Sequence, residues 1–318
     1  MLFVAFVVLT AAACITLPLL VYGTALAALG LPHVFAELRY VALRFAGRWP
    51  IRWAMGVGVV LLAIVGLRVA QMTGVMTTGV GKPAELGLVA VLAAITLPAL
   101  WRRGPMNAVV GLIIIAGVAW GAAEAPLPTA LLLAVLHNFT PVGFFYEALR
   151  GAARRRALLL SAVVFLGIPA LIATGAPYEA LRGTGLLSPE LTVLPTGPLA
   201  RHIGVYVPRS LHAEMVALHL FTAVVFAQCM HYAAVIHVLP RLGVTSKGVS
   251  RPWAIGLALM GALTLAAFYG DFFASRKIYG LFAAVHAWIE VPILLAALLG
   301  AASSTSGASP TLTPDPAS

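Results

Sequence analysis

Apolar stretches long enough to cross a lipid bilayer recur along almost the whole chain, and they constrain its fold more than any motif does. A transmembrane helix needs about 20 predominantly apolar residues. A hydropathy scan with a window of about 19 residues predicts nine such spans. They cover residues 3–29, 52–73, 86–101, 107–123, 127–149, 157–175, 211–238, 253–270 and 278–299. The sequence therefore predicts an all-α, polytopic membrane bundle of about nine transmembrane helices.

Composition supports the same class. Hydrophobic residues make up 61% of the 318 positions and charged residues only 9%, whereas an average soluble domain has roughly 45–50% apolar and about 25% charged residues. These values exclude a soluble enzyme. The net charge of +10 does not indicate a nucleic-acid partner, because the basic residues fall in short clusters between apolar stretches, where they act as topology signals.

The basic clusters alternate in density along the nine predicted spans. One side collects 13 of the 20 lysines and arginines, among them Arg154, Arg155 and Arg156. Because cytoplasmic loops carry the excess of these residues, we expect the N-terminus outside and the C-terminus inside, in a bacterial inner (cytoplasmic) membrane. We further expect one transmembrane domain over residues 1–300, and a disordered Ser/Thr/Pro-rich tail over 301–318.

Six of the eight histidines lie in or at the end of predicted spans. Ionisable side chains are costly in hydrocarbon, so they usually face a cavity or one another and mark a functional site. At about 100° per residue, the histidines of the seventh span project within about 120° of one another. The candidate metal ligands are His33, His137, His219, His231, His237 and His286.

Two histidines have a glutamate four residues later, His33 with Glu37 and His286 with Glu290. This spacing places both side chains on one helical face, where a carboxylate can orient an imidazole or raise its basicity. Depth in the membrane can be estimated from the helical rise of about 1.5 Å per residue. On this estimate the candidates lie at two levels. His137, His219, His286 and Glu290 form one level, and His33, Glu37, His231, His237 and Glu147 form a level nearer the inner face. One site and two sites are both compatible with these levels.

Structural readings compete with the functional one. An isolated intramembrane histidine often forms a hydrogen bond between helices, which is worth about 1 kcal/mol. For His33 this structural role is an alternative to metal binding. Glu37 has the alternative of pairing with Arg39 or Arg44. His202 and His212 are expected to be solvated.

The donor types suggest which metal such a site would hold. Several imidazoles with one or two carboxylates suit iron, with zinc as an alternative. Aromatic side chains flank the histidines and would suit an apolar substrate that enters from the bilayer: Phe139, Phe144, Phe145, Tyr146, Tyr232 and Trp288.

Several of these segments resemble the Brp/Blh family of membrane β-carotene cleavage enzymes. Gly30-Leu31-Pro32-His33 looks like the segment that opens that family, and Glu37 stands where the family has an aspartate. His137-Asn138-Phe139, Cys229-Met230-His231, and His286 with Glu290 are similar to its other histidine motifs. Val235 departs from the family's second histidine in the third motif, and the next imidazole is His237. The resemblance implies non-haem Fe(II) held mainly by histidines, O2 as co-substrate and cleavage of a carotenoid to retinal-type aldehydes.

The leading hypothesis is a membrane-embedded, histidine-ligated non-haem iron oxygenase that acts on a carotenoid or a similarly apolar lipid. His33, His137, His231 and either His237 or His286 would bind the metal, with His219 as a further candidate, and Glu37 and Glu290 would serve the chemistry by orienting the ligands. Three alternatives remain open: a haem-binding electron carrier, a histidine-lined transporter or channel, and a structural subunit bound to other membrane proteins.

Overall fold

The computed structural model describes residues 2–45, 49–242 and 250–301, and these residues form helices and loops without a β-strand. Within these residues, eight helices are long and apolar enough to cross a membrane, and a ninth span is present if the bent pair Pro126–His137 and Thr140–Ala148 is counted as one. The predicted fold class is confirmed. Residues 302–318, which include nearly all of the predicted tail, lie outside the described residues.

Residues 182–214 form a long loop that contains the short helix Ala200–Ile203. In chain order the helices are α1 (Leu2–Thr16), α2 (Pro18–Phe45), α3 (Ile51–Met72), α4 (Thr78–Ala94), α5 (Leu97–Arg102), α6 (Pro105–Glu124), α7 (Pro126–His137), α8 (Thr140–Ala148), α9 (Gly151–Ser161), α10 (Ile168–Ala173), α11 (Ala176–Leu181), α12 (Ala200–Ile203), α13 (Met215–Ala233), α14 (Arg251–Gly270) and α15 (Phe272–Ala301). Two π-helical segments, Ala162–Gly167 and Ala234–Val238, continue α9 and α13.

The first span differs from its prediction over residues 3–29. Helix α1 ends at Thr16, and α2 begins at Pro18, because proline is well suited to the first position of a helix, where its missing N–H is not needed. Helix α2 then runs through Pro32 to Phe45. His33 and Glu37 are therefore in the middle of a spanning helix and not at its end.

The proline inside α2 coincides with a close approach of α14. Pro32 cannot donate a hydrogen bond to the carbonyl of Ala28, four residues earlier. Gly261 of α14 lies against this carbonyl, and a Cβ atom at position 261 would be only 2.6 Å from the Ala28 oxygen. The absence of a side chain at Gly261 thus lets the two helices pack closely beside the residues that precede His33.

Helices α2, α13 and α15 pack around the centre of the bundle. Helix α2 packs against α13, α14 and α15, and α15 also packs against α3, α4 and α8. Helix α13 is the most enclosed, and the buried side chains of its middle, such as Phe221, Val225 and Phe226, belong to the main hydrophobic core. The end of the bundle that carries residues 174–214 is called the long-loop end below.

Candidate metal centre

Four helices bring five of the predicted site residues to one point inside the bundle. Helix α2 contributes His33 and Glu37, and α7, α13 and α15 contribute His137, His231 and His286. One donor atom from each of the five residues lies within 4.8 Å of every other. Four of the residues are buried and His137 is half-buried. The two predicted levels are thus combined in a single cluster, because the shifted position of α2 carries His33 and Glu37 deeper into the bundle.

The spacing of the imidazole nitrogens fits one shared ion. Nε2 of His286 lies 3.1 Å from Nε2 of His33 and 2.9 Å from Nε2 of His137. Two nitrogen ligands that each lie about 2.1 Å from an ion, at right angles to each other, are about 3.0 Å apart. Without an ion, Nε2 of a neutral His286 carries either one hydrogen or one lone pair. It can therefore satisfy only one of its two neighbours well.

Local structure aims two of these rings at the centre. Nδ1 of His33 lies 3.2 Å from the carbonyl oxygen of Leu29, so Nδ1 carries the hydrogen and Nε2 offers its lone pair to the cluster. His137 is the last residue of α7, where the chain bends by 43° before α8. Thr140 and Asn138 stabilise this bend by donating to the carbonyls of His137, Ala134 and Val135.

The two carboxylates of the site have no cationic side chain beside them. Oε2 of Glu37 lies 3.6 Å from Nε2 of His231 and 3.8 Å from Nε2 of His286. Oε2 of Glu290 lies 2.9 Å from Nδ1 of His137. Among the described residues, neither carboxylate has a well-formed hydrogen bond, and no lysine or arginine pairs with either.

The two arginines considered as partners of Glu37 make other contacts. Arg44 forms a two-pronged ion pair with Glu147, with N···O distances of 2.9 and 3.1 Å, and Arg39 lies over the ring of Trp253. Glu147, although close to the inner level in the sequence-based prediction, is therefore a structural ion-pair partner outside the cluster.

The residues present fit a transition-metal ion. Four neutral imidazoles and one carboxylate are donors that iron, copper, nickel and zinc accept. Glu290 lies against Nδ1 of His137, the ring nitrogen that does not face His286, as a carboxylate does in many histidine–metal sites. The unpartnered polar atoms include both oxygens of Glu37 and both nitrogens of His231, and a bound cation would accept lone pairs from the carboxylate and from one nitrogen of the ring.

His219 and His237 lie outside the cluster. His219 precedes His231 by 12 residues, about 18 Å along the helix, and packs against Gly175 and the ring of Tyr178. Gly175 has a φ of +76°, and a Cβ there would overlap the His219 ring. His237 lies in the π-helical segment Ala234–Val238, where the 100° rotation per residue no longer holds. It is exposed and lines a second, apolar cavity of about 740 Å³.

The long loop contains a further buried histidine. His202, which was expected to be solvated, is fully buried. Its Nε2 lies 2.9 Å from the carbonyl oxygen of Thr196, and its Nδ1 lies 3.1 Å from the guanidinium of Arg276. His212 is exposed, as expected. His202 therefore anchors the loop to the start of α15 and does not belong to the metal centre.

A cavity of about 630 Å³ adjoins the cluster and extends towards the long-loop end. Its volume is in the range of ligand-binding sites, which is about 300–1,000 Å³. The four clustered histidines line one part of it, and loop residues Gly204 to Arg209 line another. Its remaining wall is mostly apolar and includes Leu127, Leu131 and Ala134.

Sequence-based prediction missed two polar groups on this cavity. Glu85 stands one residue before the predicted start of a span at 86, so it was not recognised as an intramembrane acid; it binds Arg68, Lys82 and Trp288. The second group joins Tyr206, Gln228, Tyr232 and Tyr279 by hydrogen bonds. The four-residue spacing of Gln228 and Tyr232 on α13 was the signal in the sequence for this second group.

No family model matches the chain, and no curated protein or solved structure matches it. The short histidine motifs remain the basis of the resemblance to the β-carotene cleavage enzymes. The geometry of the cluster is the basis of the function proposed next.

Proposed function

We propose that the chain is a membrane-embedded metalloenzyme that binds one iron ion and oxidises an apolar polyene or lipid, such as a carotenoid, with O2. The observation that carries this proposal is the convergence of His33, His137, His231, His286 and Glu37 within 4.8 Å. The four histidines are also the ones in the motifs that resemble the carotene cleavage family. A bacterial inner membrane is the proposed location.

The charges of the cluster favour a bound cation. Burying an ionised carboxylate without a partner is strongly unfavourable, and Glu37 and Glu290 lie close enough to each other to interact. A divalent ion would offset both carboxylates and accept the lone pairs of the imidazoles. This arrangement supports metal binding better than a role for the histidines as separate helix-packing partners.

The residues around the ion would then have distinct roles. His33, His137, His231, His286 and Glu37 would hold it, and Glu290 would orient the His137 ring through Nδ1. Bound iron would supply redox chemistry with O2 as the co-substrate. The apolar wall of the adjacent cavity would hold the substrate beside the cluster and keep bulk water away from it.

The same geometry favours a single ion over a haem. Two imidazoles that bind a haem stand on opposite faces of a macrocycle, whereas the Nε2 atoms of His33 and His137 both lie about 3 Å from that of His286. A porphyrin has no room between nitrogens at this spacing. A purified preparation without a Soret band is therefore expected.

Metal analysis of the detergent-purified full-length protein, prepared without oxygen, is the first test. We expect near-stoichiometric iron, and consumption of β-carotene with release of an aldehyde once air is admitted. The same measurements on His137→Ala should show neither iron nor product, while His212→Ala, which changes an exposed histidine, should behave like the wild type.

Three outcomes would overturn the proposal in different ways. Absence of metal from a folded preparation would remove the metal centre. Zinc in place of iron would remove the redox chemistry. Iron that exchanges freely and moves across proteoliposomes, without oxygen-dependent product, would assign the cluster to a transporter.

A further inference from the structure

Four polar side chains form a continuous hydrogen-bonded group on the wall of the cavity that adjoins the metal centre. The Tyr206 hydroxyl donates to Oε1 of Gln228 at 2.8 Å, and Nε2 of Gln228 donates to the Tyr232 hydroxyl at 2.5 Å. The Tyr232 and Tyr279 hydroxyls lie 3.4 Å apart. All four residues line the cavity, and they come from the long loop, α13 and α15. This set is called the tyrosine–glutamine group below.

One hydroxyl hydrogen of this group has no acceptor within the group. The Tyr232 oxygen already accepts from Gln228, so the Tyr232 and Tyr279 hydroxyls share at most one hydrogen bond. Whichever of them donates, the other keeps a hydrogen that has no acceptor among the described residues. Buried polar groups are normally hydrogen-bonded. An oxygen atom of a molecule bound in the cavity can accept this spare phenolic hydrogen.

The position of the group relates this acceptor to the metal centre. The Tyr232 ring stacks on the imidazole of His33, with ring centroids 4.0 Å apart and an angle of 26° between the planes. The Tyr279 ring lies 6.5 Å from the same imidazole. A molecule bonded to these hydroxyls would lie in the part of the cavity that His33 also lines. Its remaining body would extend along the apolar wall formed by residues such as Leu131 and Ala134.

We propose that the tyrosine–glutamine group is a binding subsite for a carbonyl or hydroxyl oxygen on an otherwise apolar substrate. This inference rests on the proposed function and narrows its substrate to an oxygenated polyene or lipid. A pure hydrocarbon offers no lone pair to the spare phenolic hydrogen, whereas a carbonyl or hydroxyl oxygen does. The subsite thus selects among substrates of the same length and shape, and it fixes which part of the molecule lies beside the metal.

Binding is measured without turnover, on full-length metal-loaded protein in detergent and in the absence of oxygen. The probes are β-carotene, its dihydroxy derivative zeaxanthin and its diketo derivative canthaxanthin, and the readout is quenching of tryptophan fluorescence, since Trp288 lines the cavity. We expect the two oxygenated probes to bind roughly three- to tenfold more tightly than β-carotene, which is the usual effect of one hydrogen bond. The double variant Tyr232→Phe/Tyr279→Phe should remove that preference.

Tyr269→Phe is the matched control, because Tyr269 is an exposed tyrosine of α14, and it should keep the preference. Retention of the metal by each variant shows that the fold is intact. Equal affinities for the three probes in the wild type, no binding of any of them, or a preference that survives in the double variant would overturn the subsite. If the preference is found but no oxygen-dependent product forms in air, the oxygenase proposal fails while the subsite stands.

Discussion

Glu37 and Glu85 are equally buried, each with 1% of its surface exposed, yet their surroundings differ sharply. Glu85 accepts hydrogen bonds from Arg68 at 2.5 and 2.9 Å, from Lys82 at 3.0 Å and from the indole N–H of Trp288 at 3.0 Å. Glu37 has no well-formed hydrogen bond among the described residues, and its neighbours are imidazoles and the Glu290 carboxyl group. The described part of the chain supplies hydrogen-bond donors to the carboxylate of Glu85 and no well-formed one to that of Glu37.

This difference separates a structural ion pair from a ligand site. Buried ion pairs persist when their geometry is good and every donor is used, as around Glu85. Lacking such donors, a buried carboxylate surrounded by the lone pairs of imidazoles gains most from an ion that the chain does not itself supply. Burial alone would not have distinguished the two glutamates, whereas the count of their donors does.

The largest expected effect is on metal binding when His286 is replaced. His286 is the central ring, within about 3 Å of both His33 and His137, so His286→Ala removes the nitrogen that the other two share. Metal content of the purified protein should fall from near one equivalent to background by elemental analysis. His237→Ala is the matched control, because this histidine is exposed on the second cavity, and its metal content should stay unchanged.

A second prediction addresses the comparison of the two glutamates directly. In metal-free protein, Glu85→Gln leaves Arg68 and Lys82 without their partner. Removing one member of a buried pair costs about 3–5 kcal/mol. Because both cations are about one quarter exposed, we expect roughly 2 kcal/mol here. Glu37→Gln should not lower the melting temperature of the metal-free protein, since no lysine or arginine among the described residues pairs with this carboxyl group. Equal losses in the two variants would contradict the distinction.

A third prediction concerns Glu290, which lies outside the set of ligands and contacts His137. Its Oε2 lies 2.9 Å from Nδ1 of that ring, so Glu290→Gln weakens the orientation of one ligand without removing it. Loss of such a supporting carboxylate typically lowers metal affinity about 10–100-fold. Competition with a chelator of known affinity would measure the change. Glu147→Gln, which affects the ion pair with Arg44, should leave metal affinity as in the wild type.

Most of the fold and part of the site could be predicted from the sequence. Hydropathy locates spanning helices well because each must satisfy its own backbone in lipid, and the i, i+4 spacing correctly associated His33 with Glu37 on one face. The sequence could not show that α2 begins only at Pro18, because a proline can either start a helix or lie within one.

The membership of the cluster was harder to predict. His219 and His237 share α13 and its continuation with His231, but axial distance separates the first from the metal centre and a π-helical turn rotates the second away. Glu85 was missed because a charged residue lowers the mean hydropathy, so the predicted span began after it. Hydropathy does not register that neighbouring cations neutralise this carboxylate. Such neutralisation depends on contacts between different helices, as that of Glu85 on α4 with Arg68 on α3 shows.

The smallest expected effect concerns His202, a buried group outside the membrane spans that, like Glu85, has its polar atoms satisfied. Its Nε2–H donates to the carbonyl of Thr196, and its Nδ1 accepts from Arg276, which is the pattern of a neutral ring. Burial lowers the pKa of His202 below its usual value of 6.5. The Thr196 carbonyl and Glu190 oppose that shift, and Arg276 and Arg201 add to it.

The unfolded chain therefore binds a proton at His202 as the pH falls through about 6.5, while the folded chain does not. Stability should consequently decrease as the pH is lowered through this range and be fully present above it. Melting temperatures between about pH 7.5 and about pH 5.5 would measure the slope, which should be shallower in His202→Gln than in the wild type. His212→Gln, an exposed histidine of the same loop, should retain the wild-type slope; a steeper slope in His202→Gln would mean that the folded loop holds the charged ring.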